Sequence, residues 1–350
     1  MNNDYNTRFS DAITWLRFPL IFCIIMLHCY SVVKLPGNHE TYFKAVFPFY
    51  LWLGETGVPG FFFISGYLFF LSKKNYLQKL KNRFYTLFTP YIIWNLIILL
   101  IYLIAFVVGY PQDINGRNMV DYGWLDYLRL FWDRGSFDDG NFVPLLCPLW
   151  YIRNLLIMSI ISPLVYYITK YLREFFLLAL LLWWMTTYHN AFVSQTLLFF
   201  CFGAYFSILK LNPLKIAYDY RWLVMMLFAG LGLCDYLTHV AWTTPFNFQI
   251  HRFALIANIP AFFLISDYFV ARGFSNKWLA NAAFIVFCVH YPIVTFLRKY
   301  CAYNYSYASD HIHIALYFAC VATATAASIT FYYLLNKYFP KVKNILSGNR

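Results

Sequence analysis

Arg17 and His28 are the residues of this sequence whose types and spacing most strongly suggest chemistry. They lie in an apolar run, residues 13–33, that is long enough to cross a bilayer as a helix. Lipid solvates ionisable side chains poorly, so such residues usually face a protein interior or a water-filled cavity. Eleven residues of α-helix amount to about 20° beyond three turns, which places both side chains on one face, roughly 16 Å apart along the axis. This pattern predicts a cation near one membrane surface and a general base deeper in the same cavity.

The same pair has a structural interpretation. Arg17 would then reach the lipid head groups, and His28 would bond to a neighbouring helix.

Composition excludes a soluble globular protein. Of the 350 residues 61% are hydrophobic and only 12% are charged, which predicts an all-α polytopic membrane protein with one integral domain, residues 1–350. The net charge of +12 does not indicate a nucleic-acid partner, because the basic residues lie in short loops between apolar runs. The eight cysteines show no ligand spacing with each other or with histidine, so no metal site is expected.

The apolar runs predict about ten transmembrane helices. The second is interrupted by three glycines and a proline, as in helices that line a cavity or pack closely on neighbours. In chain order the predicted spans are 13–33, 46–71, 87–109, 148–169, 175–188, 192–209, 222–238, 252–270, 279–297 and 313–335.

The distribution of lysine and arginine predicts the orientation of the chain. Alternate loops are basic, whereas the longest intervening loop, Tyr110 to Cys147, is rich in aspartate. Both termini, as short tails of about residues 1–11 and 337–350, are therefore expected in the cytoplasm. Arg17 then lies near the cytoplasmic mouth and His28 in the outer half of the membrane.

Two further segments carry candidate donor-binding residues. Ser65 follows the interrupted part of the second span, where it either lines the cavity of His28 or serves helix packing. Arg83 shares a cytoplasmic loop with Lys79 and Lys81, and an arginine can grip phosphate through two parallel hydrogen bonds. The alternative is that these cations only set the topology.

Candidate acceptor-binding residues lie at the outer ends of later spans. Trp150 and Tyr151 are ordinary interfacial anchors, whereas Arg153 and Asn154 in the first turns could orient the hydroxyls of an acceptor. His290 is a second intramembrane histidine that is either structural or orienting.

Two acids, Glu55 and Asp235, lie near the outer ends of their spans. Either could partner an imidazole, and the sequence does not pair them.

Together these segments resemble the membrane-bound acyltransferase 3 family, bacterial enzymes that O- or N-acylate sugars and cell-envelope polymers. The family's first span carries an arginine, ten residues and a histidine, as Arg17 and His28 do here. Its other signatures match Phe62-Phe63-Ile64-Ser65-Gly66, Arg83 before Pro90-Tyr91, Leu149-Trp150-Tyr151-Ile152, and His290 followed by Pro292.

One position departs from the family pattern. Many members have a second arginine three residues after the first in the cytoplasmic loop, and here that residue is Thr86. Lys79 or Lys81 would have to replace it in a phosphate clamp.

The resemblance implies an acyltransferase of the bacterial inner membrane. A cytoplasmic acyl-CoA, most simply acetyl-CoA, would donate its acyl group to a hydroxyl of an envelope sugar, glycolipid or polysaccharide, with no metal. His28 would act as general base on the acceptor, and Arg17 would position the donor or stabilise the oxyanion.

A transporter or flippase of a glycolipid or small solute is the alternative. Intramembrane arginine and histidine beside an interrupted helix suit that function too, although no inverted repeat is found in the sequence. A purely structural scaffold would explain neither the register of Arg17 and His28 nor the short loops.

Overall fold

The computed structural model describes residues 2–30, 39–110, 113–114, 117–135, 142–187, 191–241, 246–274 and 276–349. Within these ranges the chain is overwhelmingly helical, which confirms the all-α class. The end of the first predicted span, residues 31–33, and parts of the aspartate-rich loop lie outside the described residues.

The chain divides into two compact units, and the first comprises residues 1–71 and 199–332. Its central helix is α1, which packs on α3, α12 and α13. The α-helices of this unit are α1 (Asn2–Cys29), α2 (Glu40–Phe47), α3 (Gly57–Leu71), most of α9 (Ala191–Ile208), α10 (Pro213–Asp219), α11 (Arg221–Ala241), α12 (Asn247–Ala271), α13 (Lys277–Asn304) and most of α14 (Asp310–Tyr338).

The second predicted span is helical throughout, but its helix type changes three times. A π-helix, Pro48–Leu53, and a 3₁₀ turn, Gly54–Thr56, connect α2 to α3. Glycines in this run face α1, and a Cβ atom on Gly57 would lie 2.7 Å from the carbonyl oxygen of Leu20. The glycines that interrupt the apolar pattern therefore serve the close approach of this run to α1.

The second unit comprises residues 72–198 and 333–350. The indole Nε1 of Trp94 in α5 donates a hydrogen bond of 3.1 Å to the carbonyl of Leu346, which fixes the C-terminal helix on α5. The regular elements are α4 (Tyr76–Arg83), a π-helix (Phe84–Phe88), α5 (Thr89–Val107), the antiparallel strands β1 (Asp113–Ile114) and β2 (Arg117–Asn118), a 3₁₀ turn (Met119–Asp121), α6 (Trp124–Arg129), a 3₁₀ turn (Cys147–Leu149), α7 (Trp150–Ile160), α8 (Ser162–Thr186) and α15 (Pro340–Ser347).

Two bends in this unit have local causes. The segment that ends with α7 meets α8 at 70°, next to Pro163, which lacks an N–H and whose ring clashes with a preceding helical turn. A kink follows at Arg173, with φ 48° and ψ −121°, a backbone region that L-residues other than glycine avoid. This kink falls between the predicted fourth and fifth spans, 148–169 and 175–188.

Six helices of the described chain are long and apolar enough to cross a membrane, and up to eight if each of two bent pairs forms one span. The six are Asn6–Cys29, Tyr76–Val107, Arg221–His239, Asn247–Ala271, Lys277–Asn304 and Asp310–Tyr338. The bent pairs are Cys147–Ile160 with Ser162–Thr186, and Phe192–Ile208 with Pro213–Asp219. A polytopic membrane protein is thus established, whereas ten crossings and the cytoplasmic termini stay predictions.

Candidate active site

A pair of histidines lies between α1 and α13 in the first unit. The ring centroids of His28 and His290 are 5.5 Å apart, with the planes tilted by 33°. The ring of Tyr291 meets His28 edge-on at 5.1 Å. The structure thus brings together the two intramembrane histidines that the sequence singled out separately.

The hydrogen bonds of His290 define its tautomer. Its Nδ1 lies 3.2 Å from the carbonyl oxygen of Val286, and since a carbonyl can only accept, Nδ1 carries the proton. In the neutral ring Nε2 then holds a lone pair, and it has no hydrogen-bond partner within the described chain. His290 is fully buried, whereas His28 is partly exposed. Of the two histidines, only His28 keeps any solvent exposure.

Arg17 lies three turns before His28 on the same helix. Since α1 is continuous from Asn2 to Cys29, the helical register predicted for the two residues holds. One cation that interacts electrostatically with the His28 ring is Arg298 on α13. A role for Arg17 in positioning the donor stays a prediction.

The segment around Ser65 is a helix contact. A Cβ atom on Gly66 would lie 2.0 Å from the carbonyl oxygen of Phe200 in α9, and one on Gly203 would lie 2.0 Å from that of Phe63. Two glycines thus allow the backbones of α3 and α9 to touch, which favours the packing interpretation of the Ser-Gly signature. Ser65 itself is half-buried, and donor binding by it stays a prediction.

The first unit contains a second group of polar side chains, whose contacts the sequence did not predict. His251 of α12 binds two carboxylates, with Nδ1 2.8 Å from Asp235 and Nε2 3.1 Å from Glu55. His239 lies 2.9 Å from the other oxygen of Asp235, which is fully buried. The sequence analysis identified the two acids as possible partners of an imidazole. It predicted no role for His251, which lies one residue before the predicted eighth span, 252–270.

The basic candidates of the second unit lie on α4. This helix begins with a capping box in which Asn75 and Gln78 bond to each other's backbone N–H groups. Lys79 and Arg83 follow one turn apart and repel each other electrostatically, while Lys81 is exposed. A bound phosphate would relieve this repulsion.

Thr86, where the family pattern has a second arginine, lies beneath the C-terminal residues. A Cβ atom on Gly348 would lie 2.5 Å from the carbonyl oxygen of Thr86. The backbone at this position is therefore covered by the chain's own tail rather than open to a ligand.

The candidate acceptor-binding residues are buried in the second unit. Arg153 donates hydrogen bonds of 2.7 Å to Trp132 and 3.0 Å to Phe142, both to carbonyl oxygens. Asn154 donates one of 3.0 Å to the hydroxyl of Thr196. These donors fix the segment before α7 and the start of α9, which favours a positioning role.

Trp150 and Tyr151 precede these residues on α7. Trp150 stacks on Phe192 at 4.1 Å, and Tyr151 interacts electrostatically with Arg83.

Comparisons with known proteins identify the family of this chain. A family model described as an acyltransferase domain matches residues 10–333. The chain is also 26% identical over 369 aligned residues to the succinoglycan biosynthesis protein ExoH of Rhizobium meliloti (strain 1021), with 97% of this chain and 92% of that protein covered. No solved structure matches the chain significantly.

Proposed function

This chain belongs to the acyltransferase family whose model matches residues 10–333, and from that premise we propose that it acylates a hydroxyl of an envelope sugar, glycolipid or polysaccharide. The succinoglycan context of the relative from Rhizobium meliloti supports a polysaccharide acceptor. The donor is an acyl-CoA, most simply acetyl-CoA. The enzyme works in the inner membrane of a bacterium, crosses it about ten times and has both termini in the cytoplasm.

One observation carries this proposal, namely the contact between a partly exposed His28 and a fully buried His290 in a member of this family. A general base must reach the proton that it removes, and burial excludes His290 from direct contact with a bulky acceptor. His28 is accordingly the base, and His290 positions its ring.

The reaction is a direct transfer. The acceptor oxygen attacks the carbonyl carbon of the thioester and forms the ester bond while its proton passes to His28. The C–S bond breaks, and the CoA thiolate takes that proton from His28 and leaves as the thiol. Arg17, three turns away on α1, positions the donor. Ser65 contacts the donor.

The donor's phosphates bind at α4. Arg83 supplies the bidentate contact, and Lys79 or Lys81 supplies the second cation, since Thr86 stands where many family members have an arginine. The segment ordered by Trp150, Tyr151, Arg153 and Asn154 holds the acceptor.

Paired assays of transfer and binding test this assignment. Radiolabelled acetyl-CoA is incubated with envelope extract and membranes that contain each variant, and CoA binding is measured on the same preparations. We expect His28→Ala to lower transfer by about 10²–10⁴-fold with CoA binding unchanged, and His290→Ala to lower it less. Arg83→Ala should instead weaken CoA binding by about ten- to a hundred-fold.

His311→Ala is the matched control, because this histidine is exposed at the start of α14. Near-normal turnover in His28→Ala would defeat the assignment of the base. If His290→Ala alone were inactive, His290 on α13 would have to be the base that accepts the proton.

A further inference from the structure

A third group of histidines lies in the first unit, and the proposed acyl transfer does not use it. His39 directly precedes α2, while Asp310 and His313 occupy the first turn of α14. One ligand atom from each of the three residues lies within 4.8 Å of the other two. His39 Nδ1 is 2.5 Å from an oxygen of Asp310, and the rings of His39 and His313 are 5.3 Å apart.

His313 carries an unused lone pair. Its Nε2 lies 3.0 Å from the carbonyl oxygen of Tyr305, so Nε2 holds the proton and Nδ1 is the acceptor. The residue is fully buried, and within the described chain Nδ1 has no hydrogen-bond partner. A metal-binding histidine commonly donates its other N–H to a backbone carbonyl in this way, because that bond fixes the tautomer and the ring orientation.

The carboxylate of the cluster is also held in place. The second oxygen of Asp310 accepts a hydrogen bond of 3.1 Å from the backbone N–H of Tyr42. The ring of Tyr42 meets that of His313 edge-on at 6.1 Å. Asp310 and His313 are three residues apart in a helix, so both side chains project from one face.

We propose that His39, Asp310 and His313 bind a divalent transition-metal ion, Zn²⁺ above all, with a fourth position open to water or a ligand. Two imidazoles and one carboxylate suit Zn²⁺, whereas Mg²⁺ and Ca²⁺ prefer oxygen ligands alone. Ligand atoms around tetrahedral Zn²⁺ are about 3.3 Å apart, so side-chain shifts of roughly 1 Å convert the cluster into a coordination shell. The ion would fasten the start of α14 to the segment that begins α2.

Metal titration of the full chain tests this proposal. The protein is purified in detergent, its affinity tag is removed, and it is stripped with a chelator and titrated with Zn²⁺ alone. We expect one Zn²⁺ per chain, a ligand-field spectrum when Co²⁺ replaces it, and no binding of Mg²⁺. Asp310→Asn and His313→Ala should each weaken Zn²⁺ binding by more than about a hundred-fold, since loss of an outer-shell partner alone costs 10–100-fold.

His311→Ala is the control, because His311 lies between the two ligands in sequence yet is exposed. It should bind Zn²⁺ as the unmodified chain does. Asp310→Asn keeps the size of the side chain, so elution volume and helical circular dichroism can establish that it folds. Absence of binding to the unmodified chain, or equal affinity in folded Asp310→Asn, would overturn the proposal.

Discussion

Gly66→Ala tests the contact between α3 and α9. The added methyl group would lie 2.0 Å from the carbonyl oxygen of Phe200, where ordinary contacts begin near 3.4 Å. The obstacle is backbone rather than the end of a flexible side chain, so the two helices must separate by more than about 1 Å. Overpacking of this kind costs typically 1–3 kcal/mol, and we expect about 3 kcal/mol here because both partners are helix backbones.

The effect is measured by thermal unfolding in detergent, in which the fraction of protein that stays monodisperse is recorded as the temperature rises. The chain offers a matched control in Gly230 of α11, where an added Cβ atom meets nothing within 4 Å. Gly230→Ala should be neutral or stabilising by about 0.5–1 kcal/mol, because alanine is the better helix former. Gly203→Ala should be as harmful as Gly66→Ala, since its Cβ atom would lie 2.0 Å from the carbonyl oxygen of Phe63.

Equal unfolding temperatures for Gly66→Ala and Gly230→Ala would refute the close approach. The Ser-Gly signature would then have to be explained by Ser65 and its ligand instead of by packing.

Two further substitutions probe local features of each unit. Asp235→Asn removes a fully buried charge that contacts His239 and His251, and loss of one partner of a buried charged group typically costs about 3–5 kcal/mol, so the unfolding temperature should fall clearly in the same thermal assay. Arg173→Gly should raise that temperature, because φ 48° with ψ −121° strains any side chain by about 1–3 kcal/mol, and an unchanged or lower value would show that the kink stores no strain.

Hydrophobic pattern and charge allowed the class of the fold to be predicted. Apolar runs of about 20 residues can be satisfied only as helices in lipid, so the spans that begin near residues 13, 222, 252, 279 and 313 all correspond to long helices. The number of membrane spans was less predictable. Pro163 lies beside the 70° bend before α8, but a proline in an apolar run does not by itself distinguish one bent span from two separate spans. The run 46–71 changes helix type without losing its apolar character.

Contacts between side chains that are far apart in the sequence could not be predicted. Asp267 forms a two-fold hydrogen-bonded ion pair with Arg8, and His39 contacts Asp310 across 271 positions. Neither contact leaves a periodic or local signal, because long-range pairs are set by helix packing. The pair of His28 and His290 could be anticipated only as two separate candidates.

The bonding of His251 differs from that of His28 in a way that bears on the proposed general base. Both ring nitrogens of His251 contact carboxylate oxygens, so neither is left to take a proton from an acceptor hydroxyl. His28 instead contacts the rings of His290 and Tyr291, and the residue keeps some solvent exposure. A general base needs a nitrogen lone pair that the acceptor can reach, so the bonding of His251 fits the proposal that His28, and not His251, is the base. The carboxylate-bound histidine then serves to join α11 and α12 to the 3₁₀ turn of Glu55.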